Sequence, residues 1–340
     1  MNTEQIKNAV EKYHNYIVEM RREFHRYPEV SGKEQHTREI LVRELEKMGV
    51  PYRLLPGTGL IGIMEGGKPG KHRVVRADID ALPITEAKKN LKQEKVCISE
   101  KPGVCHACGH DAHMAMLLGT MKVLVEMKKE LEGTVYCCFE EAEEAMMEAL
   151  KDYPIDECFA LHVYSGLEAG KIDISAGPRM AGTAGIGFYL NGRSGHSSRP
   201  DQAINPIIPA AHIITQLNSA FMNQIDAEKT VTLSICMMNG GTADNVIPER
   251  VYVGGTARFF DREEGEKAQQ IINKITENTA ACHNCTVDFQ PRNHIMVYPV
   301  INDAAVAESV RNAVSKLCGE QVIGSCDHWY ASESYSRYLE

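Results

Sequence analysis

Residues 103–113 (GVCHACGHDAH) contain two cysteines and three histidines. Cys108 and His110 are separated by one residue, so an extended backbone would present both side chains on the same face. A thiolate and an imidazole on one side of a strand end are suited to hold a divalent cation. A helical pattern follows over residues 113–127, so these ligands come where a strand passes into a helix, a common place for chemistry in α/β proteins. The run therefore predicts a metal-dependent enzyme.

Acidic residues and a further histidine follow other predicted strands. Glu143 and Glu144 come shortly after a strand over residues 134–139. Neighbouring side chains point apart, so one carboxylate can hold a metal ion while the other faces a water molecule. An acid-rich first turn of a helix explains the same pair without any metal. His162 ends a short apolar strand, where a histidine is also common as an ordinary core or cleft residue.

Two aspartates are further candidates, as residues that orient the metal ligands without binding the metal themselves. Asp78 and Asp80 come directly after a further strand and would share one face of the chain. Carboxylates in such a place commonly orient a ligand histidine. All four segments follow successive predicted strands, so we expect them to meet at the carboxyl edge of one sheet.

Length and composition exclude several classes of protein. A chain of 340 residues exceeds what one hydrophobic core usually serves, so two domains are expected. The net charge is −9 and there is no basic block, which argues against nucleic acid or an anionic membrane as a partner. The N-terminus lacks an apolar signal core, and no apolar run is long enough to span a bilayer. A cytoplasmic location is expected.

The 11 cysteines are scattered along the chain, which fits reduced thiols better than a disulfide framework. Two C-x-x-C pairs nevertheless allow a different hypothesis, a four-cysteine zinc or redox module built on Cys105, Cys108, Cys282 and Cys285. The two pairs fall in different predicted domains, which argues against a shared site.

The order of predicted elements indicates two kinds of architecture. Helices are predicted over residues 3–27 and up to residue 48, the second capped by Ser31 with Glu34 as its capping-box partner. Alternating strands and helices then predict an α/β domain with a mixed, mostly parallel sheet flanked by helices. From residue 180 the pattern becomes strand–helix–strand–strand–helix–strand, as in a ferredoxin-like α+β domain. We therefore predict one domain over 1–179 and 292–340, with a second inserted at 180–291.

The order of these segments resembles that of the aminoacylase and glutamate-carboxypeptidase superfamily of dimetal peptidases. Within it, the chain is similar to the amidohydrolase branch of hippurate hydrolase and the indole-acetyl-amino-acid hydrolases. The cysteine–histidine motif is specific to that branch. The matching segments are 21–29 (RREFHRYPE), 76–83 (RADIDALP), 106–113 (HACGHDAH), 142–144 (AEE), 161–163 (LHV), 195–200 (GHSSRP), 245–248 (NVIP) and 255–258 (GTAR).

The resemblance implies a phosphorylase/hydrolase-like catalytic domain that binds two divalent metal ions, which could be Zn, Mn, Ni or Co. Cys108 would be shared between the two metals, with His110, Glu144 and His162 as further ligands. Glu143 would be the general base that takes a proton from water and later protonates the leaving amine. The implied reaction is hydrolysis of the amide bond of an N-acyl amino acid or a similar acetyl, benzoyl or indole-acetyl conjugate.

The resemblance also implies that residues 180–291 form a lid and dimerisation domain. His196 would reach an active site across a homodimer and stabilise the oxyanion. Asn245 and Arg258 would meet the substrate, and an arginine suits an amino-acid carboxylate. On residue type alone, strand-end turns and surface charge explain these three side chains equally well.

The chain departs from the family pattern at three places. Glu140 and Glu141 stand where relatives have Gln-Pro, and residues 332–335 read SESY in place of Ser-Glu-Asp-Phe. The sequence stops at Glu340, before the family's last strand and helix and the histidine that completes its dimetal shell. A catalytically impaired relative that acts as a dimeric binding protein is therefore the alternative hypothesis.

Overall fold

The computed structural model describes residues 3–141 and 143–340. These residues form two compact units. The first unit comprises the described residues up to Ile174 together with Glu308–Cys326, and the second comprises Ser175–Ala307 together with Asp327–Glu340. The predicted domain bounds at residues 180 and 291, and the lid role of the inserted part, stay predictions. No helix within the described ranges has the length and apolar character needed to cross a membrane.

The elements are numbered along the chain. The α-helices are α1 (Thr3–Arg26), α2 (Gln35–Met48), α3 (His110–Glu126), α4 (Glu143–Leu150), α5 (Ile207–Gln224), α6 (Arg262–Cys282) and α7 (Ala304–Cys318). The β-strands are β1 (Tyr52–Leu54), β2 (Leu60–Glu65), β3 (Lys68–Asp78), β4 (Glu132–Glu140), β5 (Glu157–Ala160), β6 (Ile172–Asp173), β7 (Gly177–Met180), β8 (Gly182–Asn191), β9 (Gly195–His196), β10 (Val231–Asn239), β11 (Val246–Ile247), β12 (Arg250–Phe259), β13 (Thr286–Phe289), β14 (Ile295–Val297), β15 (Val300–Asn302) and β16 (Ile323–Gly324).

A five-stranded mixed sheet in the order β1-β2-β4-β3-β5 forms the centre of the first unit. β3 runs parallel to both β4 and β5, whereas β2 is antiparallel to β1 and β4. The predicted mixed α/β fold is confirmed. Because β3 and β4 are parallel, their last residues reach the same edge of the sheet, where Asp78 lies directly opposite Glu140. This edge positions the candidate site.

The core of the first unit forms where the apolar sides of α1, α2 and α3 pack on β2 and β4. Met20 and Phe24 are one helical turn apart on α1, and Leu41 and Leu45 are related in the same way on α2. The side chain of Phe24 is fully buried in this cluster. Cys137 is a small buried core residue of the same cluster. Helix α3, which begins with a candidate metal ligand, is therefore fixed by packing.

The second unit has the predicted strand–helix–strand–strand–helix–strand order. Its five-stranded sheet has the order β10-β12-β8-β13, with β14 also paired to β8, and every pair is antiparallel. Helices α5 and α6 share one hydrophobic core with this sheet, through buried residues such as Leu217 and Ile272. The α+β prediction for this part of the chain is confirmed.

The predicted capping box at the start of α2 is wrong. The helix begins at Gln35, so Glu34 occupies the N-cap position itself, and its side chain makes no capping hydrogen bond. The buried Glu34 carboxylate instead accepts hydrogen bonds from the Thr58 hydroxyl at 2.6 Å and the Gly32 amide at 3.0 Å. A tertiary contact to Thr58 has replaced the local cap.

Candidate metal centre

An aspartate and three histidines converge at the carboxyl edge of the first unit's sheet. Asp78, His110, His113 and His162 each offer one ligand atom, and these four atoms lie within 4.8 Å of one another. The Asp78 carboxylate contacts His113 Nδ1 at 2.6 Å with Oδ1 and His110 Nε2 at 3.1 Å with Oδ2. The ring centroids of His113 and His162 are 4.6 Å apart. We call these four residues the Asp–His cluster.

Three elements position the Asp–His cluster. Asp78 is the last residue of β3, and His162 follows the adjacent parallel strand β5 after one intervening residue. His110 is the first residue of α3, and His113 is three positions further on. Residues three apart on a helix share a face, so both imidazoles point to the same side. The backbone amide of Val163 donates to His113 Nε2 at 3.0 Å, which ties α3 to the segment that carries His162.

The predicted extended geometry between Cys108 and His110 is wrong. Gly109 is left-handed, with φ 87° and ψ 18°, and α3 starts at His110 rather than at residue 113. A left-handed residue breaks the alternation that would have placed both side chains on one strand face. His110 is therefore grouped with His113, a residue that the sequence did not single out. The sequence does contain a signal for His113, because two histidines three residues apart at the start of a helix share one face.

We expect Gly109→Ala to distort the Asp–His cluster. The new Cβ would lie 2.3 Å from Val163 Cγ2, whereas at Gly103, which has a similar φ of 75°, there is no atom within 4 Å. Gly103→Ala should lower the free energy of unfolding by only about 1–2 kcal/mol, because alanine is strained in the left-handed conformation. Gly109→Ala should cost about 1–3 kcal/mol more through the clash, and should also weaken Mn²⁺ binding. Urea unfolding and a metal titration of both variants test this, and equal effects would contradict it.

The charge of the cluster suits a divalent cation. Burial alone would raise the pKa of Asp78, but the charge of Arg76 and the hydrogen bond with His113 hold that pKa well below its usual range. The group thus combines an anionic carboxylate with three imidazoles. Such a mixed oxygen and nitrogen donor set is typical of zinc and related transition metals. The residues present therefore fit a metal ion.

The other residues predicted for the metal site differ in how they relate to the cluster. Asp80 Oδ1 contacts His110 Nδ1 at 2.9 Å, as expected of a carboxylate that orients this imidazole. Cys108 is exposed and lies outside the Asp–His cluster. Glu143 and Glu144 begin α4, shortly after the end of β4. The metal-binding roles of Cys108 and Glu144, and the role of Glu143 as base, stay predictions.

The four-cysteine hypothesis finds no support in the described part of the chain. Cys282 and Cys108 are exposed, Cys105 and Cys285 are buried, and none of the four forms a disulfide. Among the described residues, no cysteine belongs to a group of three or more potential ligands that are close enough to share a metal ion.

The predicted catalytic residue His196 and the predicted substrate residues Asn245 and Arg258 lie in the second unit. His196 belongs to β9, and its Nδ1 is 2.8 Å from the hydroxyl of Ser198. Asn245 directly precedes β11, and β11 pairs with β9. His196 and Asn245 therefore belong to one small two-stranded ribbon. Arg258 on β12 donates to the hydroxyls of Thr183 and Ser332, the latter at 2.9 Å. Their predicted roles toward a substrate stay predictions.

A buried polar network that the sequence did not reveal lies beside the ligand segment. His25 on α1 contacts Asp111 Oδ2 at 2.7 Å and Glu86 Oε1 at 3.0 Å. Arg21 Nε also contacts Asp111 Oδ2, at 2.8 Å, and Lys95 donates to Glu86 at the same distance. Because Asp111 follows His110 directly, this network helps to fix the start of α3.

A cavity of about 570 Å³ adjoins this network and is lined in part by His106. The His106 side chain is buried, and its two ring nitrogens have no hydrogen-bond partner among the described residues. Burial lowers the pKa of His106 to about 4. This imidazole is therefore neutral at physiological pH.

We expect the Glu86 carboxylate to make stability depend on pH in the acid range. Burial alone would raise its pKa, but Lys95, the Ser99 amide and His25 lower it to about 2, from an ordinary value of 4.5. A carboxylate with a lowered pKa stabilises the folded state at pH values above its ordinary pKa. That stabilisation is lost as the pH falls from 4.5 toward 2. The shift corresponds to about 3 kcal/mol at neutral pH. Urea unfolding between pH 7 and 3 should show a shallower pH dependence in Glu86→Gln; identical slopes would contradict this.

Comparison with known proteins places the chain among metal-dependent hydrolases. A sequence model of the peptidase family M20/M25/M40 matches residues 74–338. The chain is 32% identical to thermostable carboxypeptidase 1 of Saccharolobus solfataricus, over 99% of this chain and 86% of that protein. It is 33% identical to an N-acyl-L-amino acid amidohydrolase of Geobacillus stearothermophilus, over 89% and 82% of the two chains.

A similar solved structure is that of the Bacillus subtilis YXEP protein, described as a dinuclear metal binding peptidase from the M20 family. The TM-score is 0.81 and the identity is 27%, over 97% of this chain and 86% of the other. Sequence and fold thus point to the same group of proteins.

Proposed function

The chain belongs to the peptidase family M20/M25/M40, and on that premise we propose that it cleaves the amide bond of N-acyl amino acids or similar small conjugates. It is a metallohydrolase that acts on amide bonds. The observation that carries the proposal is the Asp–His cluster, in which one buried carboxylate and three imidazoles meet at the carboxyl edge of the sheet. The substrate class is supported by the N-acyl-L-amino acid amidohydrolase among the relatives.

The residues of the first unit divide into those that hold metal and those that move protons. The Asp–His cluster would hold metal, with Cys108 and Glu144 as further proposed ligands. When bound, divalent metal ions lower the pKa of water and polarise the scissile carbonyl. Glu143 would accept a proton from the attacking water and return it to the amine that leaves. Its position on the first turn of α4, after a strand that pairs with β3, supports this role.

The residues of the second unit would recognise the substrate. Arg258 would bind the carboxylate of the amino-acid part, because a guanidinium can bind a carboxylate through two parallel hydrogen bonds. Asn245 would contact the same substrate. His196 would stabilise the oxyanion from the partner of a homodimer. That His196 is exposed supports a role toward a group outside its own unit.

We also propose that the native metal is zinc or manganese, that the protein is a homodimer and that it works in the cytoplasm. None of the 11 cysteines, all of which lie in the described ranges, forms a disulfide, which suits a reducing compartment. β10 lies at the edge of the second unit's sheet, and Met237 and Met238 on it are each 47% exposed. Edge strands with exposed apolar side chains favour pairing with another chain. This strand is the proposed dimer contact.

A metal-dependent assay tests the proposal. The purified protein is stripped of metal, supplied with Mn²⁺ or Zn²⁺ and given acetyl-, benzoyl- and indole-acetyl-amino acids. We expect release of free amino acid from at least one substrate class, and only in the presence of metal. Tight binding of two metal ions per chain without turnover of any substrate would contradict the proposed activity.

A further inference from the structure

Both ring nitrogens of His113 are engaged by the protein itself. The side chain is buried, with its Nδ1 at 2.6 Å from Asp78 Oδ1. Its Nε2 accepts a hydrogen bond from the Val163 amide at 3.0 Å. A ring nitrogen that accepts from an amide carries no proton, so the proton of the neutral ring is on Nδ1 and is donated to Asp78. These two hydrogen bonds fix one tautomer of His113 and use both of its nitrogens.

The other two histidines of the Asp–His cluster are held in a different way. His110 Nδ1 is 2.8 Å from the carbonyl oxygen of Asp80 and 2.9 Å from its Oδ1. His162 Nδ1 is 2.7 Å from the carbonyl oxygen of Val163. Such oxygens only accept, so Nδ1 is the donor in both rings, and a neutral ring then has its lone pair on Nε2. This is the form in which histidine usually binds a metal ion, with the other nitrogen donating to an oxygen.

Val163 links His113 to His162. Its amide donates to His113, and its carbonyl oxygen accepts from His162 Nδ1. Its side chain also lies close to the start of α3, because a Cβ built on Gly109 would be 2.3 Å from Val163 Cγ2. Contacts therefore run from Asp78 at the end of β3, through His113 on α3, to Val163 and His162 after β5.

We propose that His113 is a positioning residue of the Asp–His cluster, which does not bind the metal ion but holds His162, through Val163, in the orientation that binds it. The inference rests on the proposed function, which places a metal ion at this cluster. To bind the ion itself, His113 would have to release the Val163 amide from Nε2, or release Asp78 and a proton from Nδ1. Either change breaks a hydrogen bond of a buried imidazole, which is unfavourable. Asp78, His110 and His162 are then the members of the cluster that would face the metal.

A ¹⁵N NMR measurement of the imidazole rings tests this role on the wild-type protein. The metal-stripped full-length protein is compared before and after addition of Zn²⁺, because the ¹⁵N shift of a ring nitrogen differs between its protonated, hydrogen-bonded and metal-bound states. We expect His113 to keep a protonated Nδ1 and an accepting Nε2 in both spectra, while Nε2 of His110 and His162 shifts. A metal-bound shift at His113, or a proton on its Nε2, would overturn the proposal.

His113→Asn separates the two hydrogen bonds of the imidazole. The asparagine amide can still donate to Asp78 from the position of Nδ1, but it has no atom at the position of Nε2 to accept from Val163. We expect the affinity for Zn²⁺, measured by competition with a chromophoric chelator, to fall by about 10–100-fold, as is usual when a residue that orients a metal ligand is lost. An unchanged Kd would contradict the proposal.

His72→Asn is the matched control for this substitution. His72 is also on β3, six residues before Asp78 and so about 20 Å away along the strand. The same chemical change is thus made in the same unit but away from the Asp–His cluster. This variant should keep the wild-type Kd for Zn²⁺, and a loss equal to that of His113→Asn would count against a specific role of His113.

The ¹⁵N spectrum of His113→Asn distinguishes positioning from a general loss of structure. His162 should no longer keep a single tautomer, because Val163 is not held, whereas His110 should keep its tautomer through Asp80. Equal disturbance of His110 and His162, or no disturbance of either, would overturn the proposal. Should His113→Asn fail to fold, the wild-type spectra with and without Zn²⁺ decide alone.

Failure of the proposed function would look different. In that case the wild-type protein would bind no Zn²⁺, no imidazole of the Asp–His cluster would respond to it, and the role of His113 would be rejected together with the metal site. If the wild type binds Zn²⁺ and His113 itself acquires a metal-bound shift, the metal site stands and only the positioning role is rejected.

Discussion

Glu143→Gln is expected to lower the turnover of an N-acyl amino acid by about 10²–10⁴-fold, the usual contribution of a general base. Glutamine has nearly the same size but cannot accept the proton of the attacking water. Because the variant retains the proposed metal ligands, Mn²⁺ affinity should change little. Steady-state kcat and a metal titration of the same preparation provide the two measurements.

The matched control for this substitution lies on the same helix. Glu148 is exposed on α4 and pairs with Lys151, so Glu148→Gln makes the same chemical change away from the proposed chemistry. It should retain wild-type kcat. Full turnover by Glu143→Gln would show that the base has been assigned to the wrong residue, and equal losses in both variants would point to damage of α4.

Asp78→Asn is expected to weaken Mn²⁺ binding by about 100-fold or more. This is the upper end of the loss of metal affinity that is usual when a residue around a metal site is substituted. Asp78 is the anion of the cluster and contacts both His110 and His113, so its loss removes charge and disturbs two imidazoles together. Arg76 keeps Glu140 as a partner, so the fold should be retained. The Kd of Mn²⁺, measured on the metal-stripped variant, reports the effect.

Asp80→Asn is the variant to compare with Asp78→Asn. Asp80 contacts only the Nδ1 side of His110 among the three imidazoles, so we expect a weaker loss of about tenfold. A greater loss for Asp80→Asn than for Asp78→Asn would contradict the geometry described for the Asp–His cluster. Thermal unfolding in the presence of a chelator checks that both variants remain folded.

Much of the fold could be predicted because its signals are local. Hydrophobic spacing indicated α1, and the alternation of strands and helices indicated a mixed α/β sheet. One error came where a distant group intervened. Glu34 was assigned to a helix cap on spacing alone, but in the folded chain its carboxylate is bonded to Thr58, more than twenty residues away.

The candidate site also contains residues that the sequence indicated and residues that it did not. His110, His162 and Asp78 could be found because each stands at the end of a predicted strand or in a dense ligand motif. His113 was missed, since one left-handed glycine at residue 109 moved the start of α3 and changed which histidines share a face. The contacts of the Arg76 guanidinium with both Asp78 and Glu140 could not be predicted from the sequence either, because they depend on the register of β3 and β4.

The sequence by itself determined the family, the α/β and α+β character of the two parts, and the chemical types available for a metal site. These follow from residue order and from periodicities that span a few residues. Only the tertiary structure decided which imidazoles meet Asp78 and which carboxylate holds Arg76. Such choices depend on distances of about 3 Å between side chains from different strands and helices, and strand pairing and helix packing fix those distances.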